Sequence, residues 1–195
     1  PVVHRIRAQI DRALALDPNL AEARTALGNL YWQTWQTEPA VRELRSAIAL
    51  NPNYATAHQW LGTILVEMGE LEAGIASLER AAELDPRSLI VANNRASMLL
   101  IAERYAEAIE ACTPALEYAP DSDLCSWMIG LSHMILGDRE RARPFFDRSA
   151  AMWGGSTDQQ VAALDHVLEQ RTRYARSRAA AGVTREEAVE VALIR

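Results

Sequence analysis

Lysine is absent from this 195-residue sequence; all 20 basic side chains are arginine. An arginine-only basic set is what a GC-rich genome produces, which suggests a bacterial source and says nothing of function. No apolar run approaches the roughly 20 residues needed to cross a bilayer. There is no secretory leader and no initiator methionine. Pro1-Val2-Val3 leads straight into a helical pattern, so the chain reads as a piece of a longer protein. Cysteine is scarce. Cys112 and Cys125 are too few for a disulfide framework, and their 13-residue spacing is not a zinc signature. Cys112 falls on an expected core position, where a thiol behaves as a small hydrophobe. Both are read as buried thiols, with a disulfide or redox pair as the alternative.

Chemistry-bearing motifs are missing as well. His4, His58, His133 and His166 are scattered, and no two have the four-residue spacing of a zinc-protease helix. There is no glycine-rich phosphate loop and no acidic run with calcium-loop spacing. The histidines are read as structural and the acids as solvated surface. No catalytic residue, cofactor or metal is expected. The net charge of -6 argues against nucleic acid, which needs a basic face to displace counterions. Through residue 156 there are 20 acidic side chains and 14 arginines, and from 157 onward six of each. All of the net charge therefore lies in the first four-fifths of the chain.

That part is repetitive. Pro18, Pro52, Pro86 and Pro120 are spaced 34 residues apart. In register with them stand Gly28, Gly62, Ala96 and Gly130; then Ala40, Gly74, Ala108 and Ala142; then Leu44, Leu78, Cys112 and Phe146; then Ala47, Ala81, Ala115 and Ser149. Small residues in the first two of these columns let two helices approach closely. The large residue of the next fills the space beside that contact. Proline stops the second helix, because it lacks the N–H and biases its predecessor away from helix. The copy at 55–88 shows the pair directly. Ala57, Trp60, Leu61, Ile64, Leu65 and Met68 form one stripe. After Gly69-Glu70, a second runs through Leu71, Gly74, Ile75, Leu78, Ala81 and Ala82. Neither helix can bury its stripe alone, so the units must stack.

These columns resemble the tetratricopeptide repeat, carried best by Leu27-Gly28 with Tyr31, by Leu61-Gly62 and by Ile129-Gly130. The resemblance implies an all-α fold, a right-handed superhelical solenoid of antiparallel helix pairs. It places an array over 1–156, with a truncated repeat at 1–20 and full repeats at 21–54, 55–88, 89–122 and 123–156. Residues 2–17, with Ile6, Ile10 and Ala13 in fitting columns, read as a second helix. Trp35 stands where Gly69 and Gly137 stand, and Pro39 fits a first helical turn. Pro114 is interior and predicts a bend at Thr113-Pro114; Pro144 lies about a turn and a half into its helix. Gly154-Gly155 stops the array. Ser156 or Thr157, with Gln159 or Gln160, can cap a helix over 158–180, and Thr184 with Glu187 a last one over 185–194. Residues 157–195 are expected to form a non-repeating C-terminal cap. The basic stretch Arg171–Arg178 reads as a solvated helix face, with an anionic partner as the alternative.

In the family, the first helices line a concave face. That geometry implies a groove presenting Glu22, Thr25, Asn29, Trp32, Gln33, Thr56, Gln59 and Thr63 from the first two repeats. The next two would present Ile90, Asn93, Ser97, Leu100, Ile101, Leu124, Trp127, Leu131, Met134 and Ile135. The groove thus passes from polar to apolar. It could be covered by the chain's own helix 158–180 through Val161, Leu164, Val167 and Leu168, by a protein or peptide ligand, or by a second copy in a homodimer. A carboxylate clamp of the chaperone-binding kind is not expected. Asn29 alone matches, and the clamp's lysines have no counterpart here.

Asp17-Pro18-Asn19-Leu20-Ala21-Glu22-Ala23, residues 50–60, Asp85-Pro86-Arg87-Ser88-Leu89-Ile90 and Arg104-Tyr105-Ala106-Glu107-Ala108-Ile109 resemble the C-terminal repeats of bacterial winged-helix transcriptional regulators and class III adenylate cyclases. That implies a non-catalytic interaction or regulatory module of a signalling or transcription-regulatory protein. The alternative is the regulatory region of a nucleotidyl cyclase whose catalytic domain lies elsewhere. A cytoplasmic location is expected, with the periplasm as alternative.

Overall fold

A computed structural model describes residues 2–153 and 156–180. Among the described residues every regular element is helical. The helix α1 (Val2–Leu16) leads into pairs α2 (Ala21–Gln33) with α3 (Thr37–Leu50), and α4 (Ala55–Glu67) with α5 (Leu71–Leu84). Then α6 (Leu89–Ile101) pairs with α7 (Tyr105–Cys112), which α8 (Ala115–Tyr118) continues. Finally α9 (Asp123–Ile135) pairs with α10 (Arg139–Trp153), and α11 (Thr157–Ala180) follows. First helices thus start at 21, 55, 89 and 123, and second helices at 37, 71, 105 and 139, always 34 residues apart. Each first helix packs on its own second helix and on the helix that precedes it, and α4, α6 and α9 also touch the preceding first helix. This is an all-helical solenoid.

The reason for the register lies in two recurring local structures. Each first helix closes with a left-handed residue: Trp35 (φ 61°), Gly69 (φ 85°), Glu103 (φ 59°) and Gly137 (φ 87°). Around it the same two bonds recur. Trp35 N donates to Trp32 O, and Gln36 N to Tyr31 O; the counterparts of the second bond are Glu70 N to Leu65 O, Arg104 N to Leu99 O and Asp138 N to His133 O. This double bond satisfies the helix's orphan carbonyls and turns the chain back. At the far end of the unit, the Asp17 and Asn51 side chains accept from Asn19 N and Asn53 N, folding the turn around the proline.

Packing follows the columns. Leu44, Leu78, Cys112 and Phe146 are fully buried. Gly62 and Gly74 let the second repeat close most tightly. A Cβ on Gly62 would lie 2.6 Å from the Gly74 carbonyl oxygen, and one on Gly74 2.7 Å from the Gly62 oxygen. Any side chain would drive α4 and α5 apart. Burying a leucine such as Leu78 beside that contact contributes about 2 kcal/mol.

The two interior prolines behave differently. At Thr113-Pro114, where a bend is expected, the helical hydrogen-bond ladder is interrupted. Thr113 N still reaches Ile109 O, but Leu116 N and Glu117 N donate only three residues back, to Thr113 O and Pro114 O. The backbone angles there stay helical. Pro144 sits inside α10, which runs through it.

The reading of Cys112 and Cys125 as thiols is corrected. They are joined in a disulfide, with Cα atoms 5.3 Å apart. Cys112 ends α7 and Cys125 lies in the first turn of α9, and α7 packs on α9. Stacking therefore brings together residues that are 13 apart in sequence. The bond staples the third unit to the fourth inside the largest apolar cluster, beside Met128 and Ile129.

Ser156 and Gln159 form the capping box at the start of α11: Ser156 N donates to Gln159 Oε1 and Gln159 N to Ser156 Oγ. Val161, Leu164 and Leu168 pack with Trp127 around Met134 and Phe146. Arg139–Asp165 and Arg143–Asp158 ion pairs join α10 to α11. By its contacts α11 stands against α10 and α9 as α4 stands against α3 and α2. Of the basic stretch, Arg173 pairs with Glu169. The helix expected over 185–194 lies outside the described residues.

Candidate functional site

The first helices α2, α4, α6 and α9 stand side by side, each touching the next. They carry the positions that the family resemblance assigns to a groove. A cleft of about 310 Å³ opens over α2. Glu22, Thr25, Asn29 and Gln33 line it from one helical stripe, and Thr56 and Trp60 face them from α4. Ile6 of α1, Ala26, Leu30 and Tyr54 complete the wall. The spacing 22, 25, 29, 33 is the reason these four converge, since residues three and four apart share a helix face.

Hydrogen bonding within the cleft is incomplete. Gln33 Nε2 donates to Asn29 Oδ1. Thr25 is buried, and its Oγ1 has no partner among the described residues. A buried hydroxyl without a partner costs roughly 1–3 kcal/mol. Trp32 turns away from the cleft. Its ring meets Trp60 with centroids 5.5 Å apart, and its Nε1 donates to Glu67 Oε2 at 3.1 Å. Gln59 and Thr63 are buried between the helices, where Thr63 Oγ1 donates to the Gln59 carbonyl.

Further along, the row becomes apolar. Ile90 and Ile101, at the two ends of α6, are 64% and 58% exposed. Asn93, Leu100, Trp127 and Leu131 are half-buried. Met134 is buried in the cluster that includes the apolar side of α11. That helix leaves Ile90 and Ile101 uncovered.

Sequence reasoning did not single out Ile6, Tyr54 or Trp60 for the cleft. Ile6 fits the repeat pattern. It falls in the column of Ala40 and Gly74, and that column alone does not direct it toward a groove. Tyr54 precedes the helix, beyond the reach of a helical-face argument. Trp60 falls in the apolar stripe of its helix, and it does pack there with Trp32 against the core.

Away from the groove, His133 lines a shallow depression with Asp138, Arg141 and Phe145. Its ring stacks on Phe145 with centroids 6.0 Å apart, and burial holds its pKa below the ordinary imidazole value; Asp138 opposes the shift and Arg141 adds to it. Among the described residues no three His, Cys, Asp or Glu side chains cluster as a metal site would need. No described helix is long and apolar enough to cross a membrane.

The tetratricopeptide repeat model matches the chain over residues 25–88, 61–123 and 102–157, which together exceed half of its length. No curated protein matches it. Among solved structures, Pseudomonas aeruginosa PilF is similar with a TM-score of 0.72 at 21% identity, covering 91% of this chain and 80% of that one. MamA is similar with a TM-score of 0.66 at 24% identity, covering 81% and 89%. YrrB, described as a repeat protein with an unusual peptide-binding site, has a TM-score of 0.64 at 22% identity, covering 88% and 84%. At these identities the structures speak for the fold alone. The repeat model, the 34-residue helix starts and the four matching turns agree: the chain belongs to the tetratricopeptide repeat family.

Proposed function

We propose that this chain is a non-catalytic interaction module whose concave groove receives a protein or peptide segment. One observation carries the reading: the inner row of first helices joins a polar cleft to exposed Ile90 and Ile101. Apolar side chains facing solvent on a concave surface gain free energy when a partner covers them, at about 25 cal/mol per Å². The nearby polar groups supply orientation. The position of α11 against α10 and α9 favours a separate partner over the chain's own helix, because Ile90 and Ile101 stay uncovered.

The test is selection of peptides from a random display library on the 195-residue chain, with affinities read by anisotropy. Binding is expected to weaken at least tenfold in Ile101→Glu. Peptides that bind wild type and variant equally would place the site elsewhere, and a library without binders would remove the groove reading.

The setting we assign is a bacterial signalling or transcription-regulatory protein. Its support is the likeness of the phrases at 17–23, 50–60, 85–90 and 104–109 to such repeats. Reading the gene upstream of the Pro1 codon tests it: a winged-helix domain supports the regulator, and catalytic aspartates of a cyclase domain support the alternative.

A further inference from the structure

We infer that the cleft over α2 is a subsite for a basic side chain, arginine or lysine, of an extended peptide. The inference rests on the reading of the groove as a peptide site and names the chemistry of its first pocket.

Charge is the first argument. At the inward positions of the first helices stand two carboxylates, Glu22 and Glu67, and none of the chain's 20 arginines. Several arginines close in sequence are engaged elsewhere: Arg7 with Asp11, Arg24 with Glu43, Arg95 with Glu79, and Arg104 with Glu107 and Glu72. A concave surface carrying charge of one sign concentrates field lines and draws the opposite sign. A peptide's C-terminal carboxylate would meet Glu22 there, and no basic side chain is among the described residues that line the cleft.

Hydrogen-bond chemistry is the second, and it is independent of the first. Thr25 is 3% exposed, lines the cleft, and has an unpartnered Oγ1. In a helix threonine divides between two side-chain rotamers. One rotation exchanges its methyl and hydroxyl, so the oxygen can be turned to a ligand. Because Gln33 Nε2 donates to Asn29 Oδ1, the Gln33 carbonyl oxygen is left as an acceptor at the same rim. Glu22, Thr25, Gln33 and Thr56 thus offer several acceptor oxygens in one cleft. Only a group rich in N–H donors uses them together, and guanidinium carries five and ammonium three. Trp60, Tyr54 and Ile6 supply the apolar wall along which the aliphatic stem of such a side chain lies.

The experiment uses the full 195-residue chain as bait for a random ten-residue display library, in parallel with Glu22→Gln and Thr25→Val. Both substitutions conserve volume, and circular dichroism checks that each variant folds. Peptides recovered on wild type are expected to be enriched in Arg or Lys at one position. That enrichment should vanish on Glu22→Gln. A labelled wild-type-selected peptide should bind about tenfold more weakly to Glu22→Gln, and more weakly to Thr25→Val at unchanged melting temperature. Replacing its basic residue by norleucine should weaken binding at least as much on wild type, and clearly less on Glu22→Gln. Binders without basic enrichment, or enrichment that survives Glu22→Gln, overturn the subsite while the groove reading stands. Peptides held only through a free N-terminal amine, lost on acetylation, also overturn it. A library that yields no binders overturns both.

Discussion

Trp32 of the first full repeat and Trp60 of the second meet with ring centroids 5.5 Å apart and planes tilted by 50°. Trp32 also donates its Nε1 to Glu67, at the far end of the helix that carries Trp60. One side chain thus binds two points of the neighbouring unit. In a stacked array, stability is a sum of unit terms and interface terms. Trp32→Ala should therefore cost about 2–3 kcal/mol, somewhat less than a fully buried aromatic. The loss belongs to one interface, so amide exchange should quicken in α1 to α3 and stay slow in α9. Urea titration and hydrogen exchange read both. Uniform acceleration along the chain would contradict the interface account.

Trp35 and Glu103 carry the left-handed turn that Gly69 and Gly137 carry in the other two full repeats. Left-handed backbone costs a residue with a Cβ roughly 1 kcal/mol. Trp35 is 93% exposed, so its side chain contributes almost no packing there. Trp35→Gly and Glu103→Gly should each raise stability by about 1 kcal/mol, less the extra entropy glycine brings to the unfolded chain. The reverse change, Gly69→Ala, should lower it by a similar amount. Chemical denaturation midpoints decide the matter, and a lower midpoint in Trp35→Gly would count against strain at that turn.

Those two turns show how far the sequence could be read. The 34-residue columns depend on contacts inside one unit, such as Gly62 against Gly74, and such contacts leave a local imprint. Contacts between units leave less. Position 112 and position 125 look unrelated along the chain, yet the stacking of α7 on α9 brings their Cα atoms to 5.3 Å. The groove divides in the same way. Glu22, Thr25, Asn29 and Gln33 share one helix face, so counting along that helix places them together. Thr63 and Met134 occupy in later repeats the positions of Asn29 and Trp32, yet they are buried where Asn29 and Trp32 are half-buried, because exposure there is set by how closely the next helix approaches. Helical periodicity holds the direction of a side chain and not the distance to its neighbour.

The Cys112–Cys125 bond joins residues 13 apart. Closing a loop of that size removes unfolded-state entropy worth about 3 kcal/mol. The urea midpoint should fall accordingly in the Cys112→Ala, Cys125→Ala double variant and in reduced wild type. Both cysteines are fully buried. Reduction of the native protein by a phosphine should therefore be slow and should accelerate in subdenaturing urea. Coincident midpoints with and without reductant would show that the bond contributes nothing to stability.

His133 links stability to acid. Burial holds its folded-state pKa below the ordinary value of 6.5; the Asp138 carboxylate works against that shift and Arg141 reinforces it. The unfolded chain therefore binds the His133 proton at a higher pH than the folded chain does. Stability from this group is complete above 6.5 and is lost as pH falls from there through the folded-state value. Leu65 and Leu99 occupy the same column as His133 in the second and third repeats. His133→Leu should thus pack acceptably beside Phe145 and remove the titrating group. Melting temperatures measured from pH 7.5 to pH 5 should fall more steeply for wild type than for His133→Leu. The two curves should separate only below the ordinary imidazole value. Parallel curves across that range would mean that the ring is as easily protonated folded as unfolded, and that its stacking on Phe145 does not exclude water.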